Sequence, residues 1–228
     1  MKDIITQNIL NQCIDVRLFG GTLPIEKSEK EKTAITLTGP VQFRMGRSLH
    51  QVEIIHIKGT GAFASEPGKE QRTFRDEYIL PYSLICFYGV INENASKYTH
   101  LTEDDVKLLL EGLWNGTKNL ISRSKVGQMP RLLLRIIYKE KNYHIGDLDK
   151  KIAFRPETNV EKIRNLDDFK LEITELLKTI AEHKDKIAQI EFQIDNSLQL
   201  AKNGQIITSD ELKKLLEKEC KVIDLHLQ

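Results

Sequence analysis

Residues 78–91 read YILPYSLICFYGVI, a run with almost no polar side chain. An apolar, aromatic and β-branched run of this length suits a strand buried on both faces, so the expectation is a central strand. Pro81 has no N–H to give a ladder and places the start of that strand at an edge or bulge. A helix start follows. Thr102 with Asp105 makes a capping box, Leu101 and Val106 can staple it, and Glu103, Asp104 and Asp105 sit at the positive end of the dipole. Val106, Leu110, Leu113, Thr117 and Leu120 form its core stripe, with the helix ending at Ile121. After the loop SRSKVGQMP, residues 131–138 (RLLLRIIY) read as a strong strand. Residues 79–138 are therefore strand, helix, strand, one half of a split βαβ sandwich, and neither an all-helical nor an all-strand fold accommodates them.

The flanks are read more coarsely. Ile5, Ile9, Leu10 and Cys13 have helical spacing, and residues 14–19 (IDVRLF) alternate like a short strand closed by Gly20 and Gly21. Residues 26–32 (EKSEKEK) are expected to form a mobile charged loop. Residues 34–43 and 52–57 are β-rich, as in a hairpin or extended arm. Residues 168–187 read as a long amphipathic helix, residues 190–200 fit either helix or strand, and Thr208 with Glu211 caps a final helix to about Glu219.

Charge enters through its distribution. The 228 residues carry 34 Lys and Arg against 33 Asp and Glu, so a net charge of +1 says nothing about a polyanionic partner. Yet residues 112–139 hold Lys118, Arg123, Lys125, Arg131, Arg135 and Lys139 and no acid. A second acid-free stretch, residues 32–52, contains Arg44, Arg47 and His50. The plain reading is a solvated face whose acidic partners come from elsewhere in the fold. Cys13, Cys86 and Cys220 make no metal spacing, and no secretory leader is apparent, which points to a reducing interior without disulfides or structural metal. No apolar run reaches the roughly 20 residues of a membrane helix.

Within the basic window, residues 122–128 (SRSKVGQ) join a helix to a strand and combine hydroxyls, two cations and a glycine. Such a loop suits phosphate and sugar oxygens, which carry most nucleic-acid contacts and little sequence information. It lacks the P-loop pattern. A catalytic reading would take His50 and His56 with Asp76 or Glu77 as acid and base for RNA cleavage. Against it, His56 lies inside VEIIHI and reads as an ordinary strand residue, Cys86 as a buried inert thiol, and Trp114 as core or partner surface.

Four stretches, CIDVRLFGG (13–21), TLTGPVQFRMGRSLH (36–50), RTFRDEYILPYSLICFYGVIN (72–92) and SRSKVGQMPRLLL (122–134), together resemble the backbone subunit of type I CRISPR Cascade complexes, most closely the type I-B form. The resemblance implies an α+β fold, a modified RNA-recognition-motif (ferredoxin-like) core with β-rich thumb-like insertions over residues 1–165. A helical C-terminal segment, residues 166–228, would pack on the same domain. It also implies a non-catalytic, cytoplasmic scaffold without cofactor or metal, polymerising along the CRISPR RNA and presenting it for pairing with target DNA. Its partners would be further copies of itself, the large subunit, the subunit that binds the 5′ handle, the endonuclease that processes the CRISPR RNA, and a recruited helicase-nuclease, with no membrane involved. Carried over as RNA contacts are Ser122, Arg123, Ser124, Lys125, Gly127 and Gln128, then Arg17, Gly20 and Gly21, and Arg44, Arg47 and His50, the last three on an insertion reaching the guide or the next subunit. The competing readings are an RNA-cleaving CRISPR ribonuclease and a monomeric RNA-recognition-type module. One departure stands out. Family members begin with a core strand before the helix that precedes DVRLFGG, and here Met1 falls inside that helix, so the sheet is expected to lack a strand between residues 79–91 and 131–138.

Overall fold

The computed structural model describes residues 2–28, 31–60 and 74–227. Helices α1 (Lys2–Gln12) and α2 (Ile14–Phe19) lead into the hairpin of β1 (Gly20–Ser28) and β2 (Glu31–Thr38). Strands β3 (Val41–Phe43), β4 (Arg47–Ser48), β5 (Ile55–Thr60), β6 (Phe74–Ile79), β7 (Ile85–Cys86) and β8 (Gly89–Ile91) follow, then helices α3 (Glu93–Thr99) and α4 (Glu103–Glu111). The rest comprises β9 (Leu132–Tyr138), β10 (Ala153–Pro156), β11 (Phe169–Glu172), α5 (Thr174–Glu182), β12 (Ile187–Ile194), β13 (Leu200–Lys202), β14 (Gln205–Ile207), α6 (Ser209–Glu217) and β15 (Lys221–Asp224). The fold is a mixture of helix and sheet, α+β.

Residues 14–19 are a helix, not the expected strand. The helical turn brings the Arg17 guanidinium back onto α1, where Nη1 donates to the Leu10 carbonyl at 2.7 Å, and a link to Asp105 holds it there. Strand begins at Gly20, whose φ of +73° belongs to glycine. Gly20 also lies against Gly39, since a Cβ on Gly20 would stand 2.4 Å from the Gly39 nitrogen. The charged segment at 26–32 is the end of the hairpin, with Glu26 opposite Lys32 and Ser28 opposite Glu31, while Glu29 and Lys30 lie outside the described residues.

The apolar run at 78–91 is not one buried strand. It ends β6, breaks at Pro81, and resumes as β7 and β8, each paired, among the described residues, on one side only, β7 with β4 and β8 with β3. Tyr78 and Leu80 around the end of β6 are 70 and 49% exposed, and Ile85 and Phe87 in and after β7 are 47 and 62% exposed. The preceding Arg72 and Thr73 lie outside the described residues.

Helix α4 starts at the expected capping box, with both Thr102 and Asp105 hydrogen bonds made. It gives way at Gly112–Gly116 to a π-turn, whose wider spacing shifts the buried face. Val106, Leu109, Leu110 and Trp114 are buried, whereas Leu120 is 43% exposed.

The C-terminal part is a correction to the helical expectation. Antiparallel β9–β12 with β15 parallel to β12 makes one sheet, and β10-β11-β13-β14 makes another. Helix reading of residues 168–187 fails because Phe169, Leu171 and Ile173 alternate and are buried at 0, 4 and 1% exposure, a strand period, before the helical period of α5 begins. Only α5 and α6 are helical among residues 166–227 apart from short 3₁₀ turns, and α6 begins at the expected Thr208–Glu211 capping box. Among the described residues the main core has thirteen buried members, from Ile163 to Leu216, against three (Leu18, Val41, Leu109) in a second cluster between α2, β3 and α4. At roughly 1.5–3 kcal/mol per buried side chain, the stabilising mass lies around β9, β11 and β12. Leu49, Tyr82 and Leu84 pack onto that same core, so it crosses residue 165.

Candidate nucleic-acid interface

Ser122, Arg123, Ser124, Lys125, Gly127 and Gln128 form an exposed turn between α4 and β9. It is closed by Lys125 and Val126 N–H groups donating to the Ser122 carbonyl, each at 3.1 Å, and Gly127 has a φ of +82°. Arg123 reaches across to Glu77 on β6, so the loop is tethered to the β5–β6 hairpin. Gln128 lines an apolar groove with Leu18 and Phe19 of α2 and Leu109 of α4.

The fold supplies acids to much of the basic window. Arg131 pairs with Asp195, and Arg135 with Glu191 at 3.1 Å and Glu103 at 3.2 Å. Lys139 donates to the Asp185 carbonyl. That carbonyl carries no net charge, so among the described residues Lys118, Lys125 and Lys139 have no ion pair and hold the unbalanced positive charge of the window, with Lys125 the share of this loop.

Arg44, Arg47 and His50 occur along one ribbon, with β3 and β4 running beside β7 and β8. Arg44 donates to Asp147 at 2.8 Å and lies over the Tyr88 ring at 4.5 Å. Its hydrogen bond, then that of Lys150, lowers the Asp147 carboxyl below its usual range. Arg47 approaches Asp149 at 3.8 Å. His50 is packed instead of projecting, with its ring 5.0 Å from that of Phe154 and its Nδ1 2.6 Å from the Gln51 carbonyl.

Arg17 stands apart from both groups. Its Nε and Nη2 donate to the two Asp105 oxygens at 2.9 and 2.7 Å, which, working against burial, holds the Asp105 carboxyl down at about 2. Gly20 serves the close approach to Gly39, and Gly21 faces Leu37 in the hairpin. Of the groups considered for acid-base chemistry, His56 and Asp76 are hydrogen-bonded on neighbouring strands, and His56 stacks on Tyr78 at 4.5 Å. His50 is elsewhere, on the ribbon. Among the described residues no cluster of His, Cys, Asp or Glu is arranged to hold a metal ion, and no helix is long and apolar enough to cross a membrane.

Sequence reasoning missed Tyr88, Asp147 and Asp149, and it considered Glu77 only as an acid or base, not as the partner of Arg123. Glu77 is 46 positions from Arg123, and Asp147 is 103 from Arg44, so no local spacing could announce them.

The family model for CRISPR-associated protein Cas7 matches residues 1–174. A CRISPR-associated protein Cas7 from Haloferax volcanii is 31% identical over 222 residues, 91% of this chain and 65% of that protein, so the chain spans just under two thirds of the length of the curated relative it matches. Among solved structures, a chain of a CRISPR RNA-guided surveillance complex in a pre-nicking state aligns with a TM-score of 0.47 and 12% identity, over 95% of this chain and 58% of the other. A chain of another CRISPR RNA-guided surveillance complex gives the same TM-score and identity over 85% and 73%. With its family model matched over most of its length, the chain belongs to the Cas7 family of CRISPR-associated proteins.

Proposed function

We propose that this protein is a backbone subunit of a type I-B CRISPR Cascade complex that binds the guide RNA without cleaving it. Copies polymerise along the guide, join the large subunit, the subunit at the 5′ handle and the processing endonuclease, and present the guide for pairing with target DNA before a helicase-nuclease is recruited, all in the cytoplasm. The observation that carries the reading, in a chain of this family, is the exposed loop Ser122–Gln128, where two hydroxyls, a glycine and the Lys125 ammonium meet beside Arg123, which Glu77 holds in place. Phosphate contacts of this kind neutralise charge and ignore base identity. Exposed Ile54, Tyr78 and Leu80 at the β5–β6 hairpin support an interface with a further copy, since a head-to-tail contact between unlike surfaces generates a filament.

The core is proposed to be a modified RNA-recognition motif whose sheet takes one more strand between β8 and β9. What supports it is that, among the described residues, β8 pairs only with β3 and β9 only with β12. The segments leaving both strands converge, with the Asn142 N–H donating to Glu93 at 2.7 Å. Binding of labelled single-stranded RNA by the full chain, with and without Arg123→Ala and Lys125→Ala, tests the main reading. Loss of affinity for every sequence alike is expected.

The His56–Asp76 pair favours a second reading, metal-independent RNA cleavage, because a carboxylate hydrogen-bonded to an imidazole orients its ring for proton transfer. Labelled RNA incubated with the protein separates the two, since turnover lost on His56→Ala belongs to this reading alone.

A further inference from the structure

Arg44 and Arg47 are three residues apart, a spacing that in a regular strand would send them to opposite faces. Here the ladder pairs Phe43 with Gly89 and Arg47 with Cys86, so three residues on one strand face two on the other. This is a bulge, a device that re-aims side chains. Gly46 lies inside it, where a Cβ would stand 2.5 Å from the Phe87 ring, so only glycine fits without displacing that ring.

The bulge brings both guanidinium groups to one carboxylate. Arg44 Nη1 lies 3.7 Å from Asp149 Oδ1 and Arg47 Nη2 lies 3.8 Å from Oδ2. The Asp149 side chain is 12% exposed and, among the described residues, its buried Oδ1 has no hydrogen-bond partner, while the two arginine side chains are 51 and 56% exposed. A buried anion is retained only where nearby charge compensates it, and here the compensation comes from two cations that would otherwise repel each other. Arg44 is fixed further by Asp147 and by the Tyr88 ring.

We propose that Asp149 is a positioning residue. Its carboxylate holds Arg44 and Arg47 side by side, leaving their outward N–H groups as a fork for a backbone phosphate of single-stranded RNA. This rests on the reading of the ribbon as an RNA contact and adds what sets its geometry. Asp149 itself touches no RNA.

The sign of one substitution is diagnostic. If bulk charge alone mattered, Asp149→Asn would make the protein more positive and tighten RNA binding. Positioning predicts several-fold weaker binding of a fluorescein-labelled oligouridine by the full chain, and a slope of log K against log salt reduced by about 0.7 for each phosphate that is no longer held. Arg44→Lys with Arg47→Lys keeps the charge at exposed positions, removes the fork and should weaken binding alike. Adding Asp149→Asn to that pair should then cost nothing further, because all three residues act as one unit. Binding by Asp149→Asn as tight as the unaltered chain or tighter overturns the proposal, as does full affinity of the double lysine variant or an additive loss in the triple variant. If that happens while Arg123→Ala with Lys125→Ala still weakens binding, the positioning role fails and the RNA reading stands. An unaltered chain that binds no RNA overturns both.

Discussion

Arg17 and Asp105 form a two-pronged ion pair, Nε and Nη2 to the two carboxylate oxygens at 2.9 and 2.7 Å, that ties α2 to the first turn of α4 across 88 positions of sequence. The same carboxylate closes the capping box by accepting the Thr102 N–H at 3.1 Å, and the same guanidinium holds the Leu10 carbonyl of α1. Three helices therefore meet on one pair, with the side chains 19 and 6% exposed. Its first expected role is to hold the helical layer against β3, where Leu18, Val41 and Leu109 are buried together.

Acid should loosen this layer. Asp105 is held at about 2 against an ordinary 3.8, chiefly by the Arg17 hydrogen bond. A depressed carboxylate contributes stability above its unfolded pKa and loses it as pH falls through the folded one. The contribution, about 2 kcal/mol, is thus complete above roughly pH 4 and gone below about pH 2. Asp105→Asn should lower the melting temperature at neutral pH by about 4–8 °C and flatten its dependence on pH between 4 and 2. An unchanged melting curve would show the pair to be dispensable.

Replacing Arg123 and Lys125 with Ala should leave the melting temperature nearly unchanged, because an exposed ion pair such as Arg123–Glu77 contributes only about 0–1 kcal/mol. RNA affinity should fall for all sequences to the same degree. Unfolding of the double variant would instead make the loop a structural element.

Purified protein should not cut RNA, with or without divalent metal. His56 is joined to Asp76 and stacked on Tyr78, and Lys58 is the cation directly opposite Asp76 in the hairpin, but among the described residues His50, the other candidate acid or base, is packed elsewhere against Phe154. Cleavage abolished by His56→Ala would reverse this assignment.

Hydrogen exchange tests the edges of β7, β8 and β9 that carry no partner strand among the described residues. Along Leu132–Tyr138 the N–H groups directed at β12 should be protected and the alternate ones should exchange fast, and Ile85–Cys86 and Gly89–Ile91 should show protection only at groups paired with β4 and β3. Uniform protection through both regions would mean that nothing remains to be inserted between them.

What was legible in the sequence was local. The capping boxes at Thr102 and Thr208 announce their helices because donor and acceptor are three residues apart, and RLLLRIIY announces β9 because its own side chains pack on the core. Residues 168–187 were misread because a strand period (Phe169, Leu171, Ile173) runs directly into a helix period (Leu176, Ile180), and joined together they mimic one long amphipathic face. IDVRLF was misread because its alternation is satisfied by a helical turn once Arg17 finds Leu10 and Asp105. At the candidate site the cations were visible and their carboxylates were not. Glu77 and Asp147 reach Arg123 and Arg44 only through the fold, and such pairs decide which positive charges remain available.

Whether this chain grips the phosphate backbone of RNA is decided by the salt dependence of its binding to single-stranded RNAs of unrelated sequence. Log K is expected to fall linearly with log salt, by about 0.7 for each phosphate contacted, with nearly equal affinities across sequences. A flat salt dependence, or a strong preference for one base sequence, would contradict it.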